Sequence, residues 1–166
     1  MRECLLPVLA IAAALAISPA QAHNDSHTKK SAAPAAHAIA EKSFGKAGDA
    51  KKVTRTTGVD MSDRMRFTPA TLIVKQGETV KFVVKNSGKT MHEFVLGTMA
   101  ELKAHAEMMK QHPGMAHDEP HMIHVVPGKT ATLVWQFTRS GEFHFGCLIP
   151  GHFEAGMVDN INVTAG

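Results

Sequence analysis

The chain of 166 residues contains no tyrosine, one tryptophan and only 5% aromatic residues, so a surface that stacks nucleic-acid bases on aromatic rings is not indicated. It has two cysteines, and one of them, Cys4, lies in a leader-like N-terminal segment. Cys147 is then the sole thiol of the mature chain, with no partner for a disulfide. Long apolar runs are scarce: the stretch over 5–17 is too short to span a bilayer. There is no glycine-rich phosphate loop, no Ser-His-Asp grouping on a nucleophile elbow and no zinc-protease helix motif, which removes the commoner enzyme classes. Acidic residues are slightly outnumbered, 15 against 18 basic ones. The resulting charge of +3 suits solubility or docking to an acidic partner.

What is present begins with an export pattern. Residues 1–22 combine Arg2, the apolar run and the small-residue ending A-Q-A, which predicts a secretory signal peptide cleaved before His23 and a periplasmic location. Cys4 leaves with that signal and does not stand at the cleavage point, so lipid attachment is not indicated. In an oxidising compartment an unpaired Cys147 points to metal ligation or reactivity. Residues 23–52 are rich in Ala, Lys, His, Ser and Gly and read as a flexible tail whose His23, His27 and His37 are either weak metal collectors or incidental. The remainder, 53–166, suits one domain.

Within that domain short strands are expected over 54–61, 72–74, 79–86, 93–96, 121–126, 130–137, 141–145 and 157–163. In the third, Val80, Phe82 and Val84 alternate with Lys81 and Lys85; in the sixth, Ala131, Leu133, Trp135 and Phe137 form one face. The pattern predicts an all-β fold, an antiparallel Greek-key β-sandwich with one short helix in an inserted loop. Thr98 to Glu101 fits a capping box, and His112-Pro113-Gly114 stops the helix it starts. Met99, Leu102, Ala106 and Met109 make the packing stripe; Glu101, His105, Met108 and His112 lie beside it.

The stretch 141–157, GEFHFGCLIPGHFEAGM, carries the chemistry. Phe143, Phe145 and Cys147 share one face of a strand and Glu142 and His144 the other, so Cys147 points inward at a strand end and His144 is excluded. Pro150, Gly151 and Gly156 suit a tight loop returning His152 and Met157 towards the sulfur. Thiolate, imidazole and thioether form a soft set, and one thiolate with two imidazoles and a weak axial thioether holds copper for one-electron transfer. His92, in T-M-H-E-F-V-L, supplies the second imidazole, and alternation turns Glu93 away to a supporting or surface role.

A histidine followed by Cys-x4-His-x4-Met near the C-terminus resembles the cupredoxin family of type 1 copper proteins, over roughly residues 54–163. The resemblance implies His92, Cys147 and His152 as equatorial copper ligands and Met157 as the axial one. Zinc on the same residues is the competing metal, disfavoured because Met is a poor zinc ligand. Between Met91 and His124 stand six methionines and six histidines, more than the family requires. Here His105, Met108, His112, Met115 and His117 are candidate accessory copper ligands, against the plainer reading of a polar helix face.

With its His-bearing tail and Met/His-rich insert the whole chain is similar to CopI-type periplasmic copper-tolerance cupredoxins. This implies a monomeric, non-enzymatic copper-binding protein of the periplasm that supports copper tolerance, exchanging copper or electrons with a periplasmic protein. A soluble electron carrier between respiratory partners is the alternative. Copper nitrite reductases and multicopper oxidases wire their copper through a histidine adjacent to the cysteine, whereas Cys147 is flanked by Gly146 and Leu148.

Overall fold

The computed structural model describes residues 41–115 and 118–166. The expected signal peptide and the tail through residue 40 lie outside these, as does His117. The described elements are β1 (Lys46–Ala47), β2 (Arg55–Ser62), β3 (Arg66–Thr68), β4 (Thr71–Lys75), β5 (Thr79–Asn86), β6 (His92–Gly97), α1 (Met99–Gln111), β7 (Met122–Val125), β8 (Thr130–Gln136), β9 (Gly141–Gly146) and β10 (Val158–Thr164), with a single 3-10 turn at Ala50–Lys52. They form two five-stranded sheets, ordered β1-β8-β5-β2-β3 and β4-β10-β9-β6-β7. This is the expected two-sheet sandwich with one helix, but it is mixed and not purely antiparallel. Strands β2 and β5 pair in parallel, and so do β4 and β10. The chain crosses to the other sheet at β4 and returns at β5, and such a crossover is what lets two strands of one sheet run the same way.

Alternation builds the core as expected. Val80, Phe82 and Val84 are fully buried and face Trp135, Leu133 and Ala131 across the β5–β8 ladder. From the second sheet Phe94, Phe143, Phe145, Ile161 and Val163 close on them. Phe82, Phe94 and Phe145 pack ring to ring at centroid distances of 5.2 and 5.3 Å.

The first correction concerns the tail, which is not flexible through Lys52. Over 41–52 the chain is part of the domain: β1 pairs with β8, and Phe44 is only 1% exposed. Phe44 stacks on Trp135 with centroids 5.1 Å apart, and the indole Nε1 donates to the Phe44 carbonyl at 3.1 Å. Average composition hid this, because one aromatic side chain with a waiting partner anchors an otherwise polar segment.

Helix α1 begins as its sequence dictates. The Thr98 hydroxyl accepts from the Glu101 amide at 3.2 Å while the Glu101 carboxylate accepts from the Thr98 amide at 2.9 Å. Its buried face is Leu102, Ala106 and Met109, with Met99 only half-buried at the first turn. Leu102 and Ala106 cluster with Val95, Met122 and Leu148 on the outer side of the second sheet. As a result every residue of β6 is buried, with Phe94 and Leu96 in the inter-sheet core and Val95 under the helix.

Candidate metal centre

The site forms where β6 begins and β9 ends. His92 is the first residue of β6, and Cys147 follows the last residue of β9, the strand hydrogen-bonded to β6. The loop after Cys147 folds back on itself through backbone bonds, three of which tie down the donor residues. His152 N–H donates to Ile149 O at 2.9 Å, Met157 N–H to His152 O at 3.0 Å, and Cys147 N–H to Met157 O at 3.0 Å. Gly151 and Gly156, at φ of 91° and 88°, make the two left-handed turns this path requires. The result places the Cys147 sulfur 3.3 Å from His152 Nδ1 and 3.9 Å from His92 Nδ1. One donor atom from each of the three residues lies within 4.8 Å of the others, a grouping able to hold a metal ion. Met157 is completely buried in the same core cluster as Cys147, and its backbone is bonded to both Cys147 and His152.

His92 has a support that sequence reasoning did not find. His92 turns Nε2 towards Asp63 Oδ1 at 3.4 Å and the Thr90 hydroxyl at 3.4 Å, leaving Nδ1 for the sulfur side. Asp63 is itself fixed by the amides of Lys89 and Thr90 and by the Thr90 hydroxyl, at 2.8, 3.2 and 2.9 Å. Those contacts, led by the Lys89 amide, lower its pKa to about 2. Gly88 makes room for this carboxylate, since a Cβ there would stand 2.2 Å from Asp63 Oδ1. No local motif announces the Asp63–His92 pair, because the two residues meet only when β2 and β5 align.

Glu93 fills the supporting role expected of it and more. Its amide donates to the Cys147 sulfur at 3.3 Å, and its carboxylate accepts from the Leu148 amide at 3.3 Å and pairs with His124 at 2.9 Å. Arg66 holds the ligand loop from the far side, donating to Ala155 O at 2.9 Å. His144 is turned away, with Nδ1 2.8 Å from Asn160 Oδ1.

Burial pushes the Cys147 thiol up to about 12, outweighing the amides of Glu93 and Ile149 that favour its anion. Without a cation the sulfur therefore keeps its proton at neutral pH, and metal binding must release it. Burial, reinforced by the nearby His92, lowers the pKa of His152 and leaves it a neutral donor. A buried thiol between two imidazoles suits a soft or borderline transition ion and has no oxygen donors for a hard one.

The accessory candidates are more scattered. His105 is half-buried on α1, Met108 and His112 are exposed, and Met115 is exposed just beyond the helix. Met115 lines a cavity of about 540 Å³ together with Met109 and with Met91, Glu93, His124 and His152. Of these, Met91 and His124 were outside the expected accessory set.

Residues 52–164 match the family of copper binding proteins described as the plastocyanin/azurin family. The chain is 52% identical over 160 residues to the "Copper-resistant cuproprotein CopI" of Rubrivivax gelatinosus, covering 96% of each chain. It is 38% identical to the protein of the same description from Pseudomonas aeruginosa, over 72% of this chain and 82% of that one. Its fold is similar to that of auracyanin B, with a TM-score of 0.61 at 18% identity, over 73% of this chain and 96% of the other.

Proposed function

Because this chain belongs to the plastocyanin/azurin family of copper-binding proteins and is similar to copper-resistance CopI proteins, we propose that it binds copper at His92, Cys147, His152 and Met157 to protect the periplasm from copper excess. The observation that carries this reading is the convergence of one buried sulfur and a ring nitrogen from each of two histidines within 4.8 Å. Copper held by such donors supplies reversible one-electron exchange. The chain's own part is to give up the Cys147 proton, to hold His92 through Asp63, and to keep the sulfur in place with the Glu93 amide. Met157, buried in the same core cluster as Cys147, would tune the metal as a weak thioether donor.

The role is binding, not turnover: Gly146 and Leu148 flank Cys147, so no adjacent histidine wires it to a second copper. A periplasmic location rests on the signal pattern of residues 1–22; among the described residues no helix is long and apolar enough to cross a membrane. Copper is exchanged with, or oxidised and reduced by, a periplasmic partner of the monomeric chain. One observation favours the electron-carrier alternative: His152, unlike His92, is only half-buried and offers a ligand edge to a partner. The histidines and methionines His105, Met108, His112, Met115 and His117 add copper capacity.

The deciding test is complementation. In a strain lacking the gene, the parent chain should restore growth in copper and Cys147→Ser should not. Restoration by Cys147→Ser would take the Cys147 centre out of copper tolerance, and a respiratory defect with no copper sensitivity would hand the function to the electron carrier.

A further inference from the structure

We propose that the cavity beside His152 is a second soft-metal site in which His124, Met91 and Met115 take Cu(I), and that Glu93 links it to the main centre. The linkage rests on the copper reading of Cys147; the site itself does not.

His124 stands opposite Glu93 in the β6–β7 ladder, with Nε2 2.9 Å from Glu93 Oε1. The Glu93 side chain is only 3% exposed and that of His124 is 32% exposed. A carboxylate in this position accepts the Nε2–H and leaves Nδ1 as the ring nitrogen a metal ion could take. A histidine whose other nitrogen donates to a buried carboxylate is the arrangement that orients imidazoles for metal ions. The plain alternative is a cross-strand pair that merely steadies the sheet. Two features of the surroundings favour a ligand. Glu93 Oε2 is held by the Leu148 amide, which fixes the carboxylate with Oε1 on His124. The cavity that His124 lines is walled by thioethers, and Met91 and Met115 are 46% and 44% exposed.

The donor set selects the occupant. Thioethers are soft and suit Cu(I), whereas zinc uses them poorly and Cu(II) prefers nitrogen and oxygen. His152 shares the cavity wall, so an ion there sits beside the main centre. A cation on His124 Nδ1 strengthens the Nε2–H donation to Glu93. Glu93 in turn bonds the Cys147 sulfur through its amide and the Leu148 amide through its carboxylate. Occupancy of the cavity is thereby felt at the thiolate.

Silver(I), soft and inert to redox change, is the probe. The full chain, loaded with one Cu(II), is titrated with Ag(I) while bound silver and the thiolate-to-copper absorption are followed. The parent should bind one more Ag(I) per chain than the Met91→Leu/His124→Gln variant, and its absorption should shift without loss. Gln keeps a donor for Glu93, and Leu conserves volume, so the band recorded before silver verifies the variant's fold. Met91→Leu alone should already weaken the silver. Equal silver counts in parent and double variant would overturn the site. A silver difference without any band shift would overturn the linkage through Glu93. A parent with no thiolate-to-copper band would sink the main-centre reading, and the silver count would still decide this one.

Discussion

At the scale of single residues, the donors differ in what their loss should do. Cys147→Ser should abolish the visible Cu(II) absorption, because the thiolate is its source, whereas Met157→Leu should keep coloured copper, shift the band and raise the potential. Equal copper loss in the two variants, read by metal analysis, would remove Met157 from the axial role. Gly88→Ala tests a support: its Cβ would collide with Asp63 Oδ1, so the His92 brace should loosen and the band should broaden or shift although residue 88 touches no ligand. An unchanged spectrum would show that Asp63 does not orient His92. The four ligand candidates were legible in the sequence because donor chemistry and spacing are properties of the side chains themselves. Asp63 and Thr90 were not, since their role depends on where the turn after β2 meets the segment before β6. Glu93 was half legible: alternation turned it off the copper face, but its pairing with His124 depends on β7, which lies far from it in sequence.

At the scale of elements, local signals decided how much was legible. The capping box and the His-Pro-Gly stop located α1 to the residue, and the alternating faces of β5 and β8 appear as read. The three-residue β3 and the two-residue β1 carry no periodicity long enough to detect. Parallel pairing of β2 with β5 is likewise a property of the crossover and of neither strand alone. The helix also reaches the metal loop. Lys110 Nζ bonds Glu154 at 2.8 Å, and Glu154 accepts from the Gly151 amide at 2.9 Å, one residue before His152. Thr98→Ala, which deletes the cap, should cost about 1 kcal/mol in urea unfolding. Lys110→Met should leave stability nearly unchanged, because exposed ion pairs contribute little. It should still alter the exchange of copper at His152 by freeing the loop. A Lys110→Met protein with parental copper-release kinetics would reduce this contact to surface decoration.

At the scale of the whole molecule, the N-terminal strap joins the sandwich through the β1–β8 pairing and one buried aromatic side chain. Phe44→Ala should cost about 3 kcal/mol or more, measured by urea or heat, since it empties a site against Trp135 and Phe143. The same aromatic cluster sets the molecule's response to acid. His121 is 7% exposed, its ring lies 5.7 Å from that of Phe44 and 6.1 Å from the Trp135 ring, and its Nδ1 is buried without a hydrogen-bond partner. Burial, helped by the charges of Lys42 and His105 and opposed by those of Glu119 and Glu101, lowers its pKa to about 4. In the unfolded chain it titrates near 6.5. Between these values the unfolded state holds the proton that the folded state refuses, so stability must fall as pH drops from about 6.5 towards 4. After discounting for solvent screening, the loss should reach about 1 kcal/mol by pH 5. The carboxylates with lowered pKa, Asp63 and Glu154, act in the same direction only at more acidic pH. His152, also lowered by burial, contributes in the same window and remains in any His121 variant. His121→Leu, measured in copper-free protein by urea midpoint at pH 7 and pH 5, should therefore keep only part of the parent's acid loss. If parent and variant lose the same stability between those two values, His121 is protonated as readily in the fold as outside it, and the strap has no acid trigger.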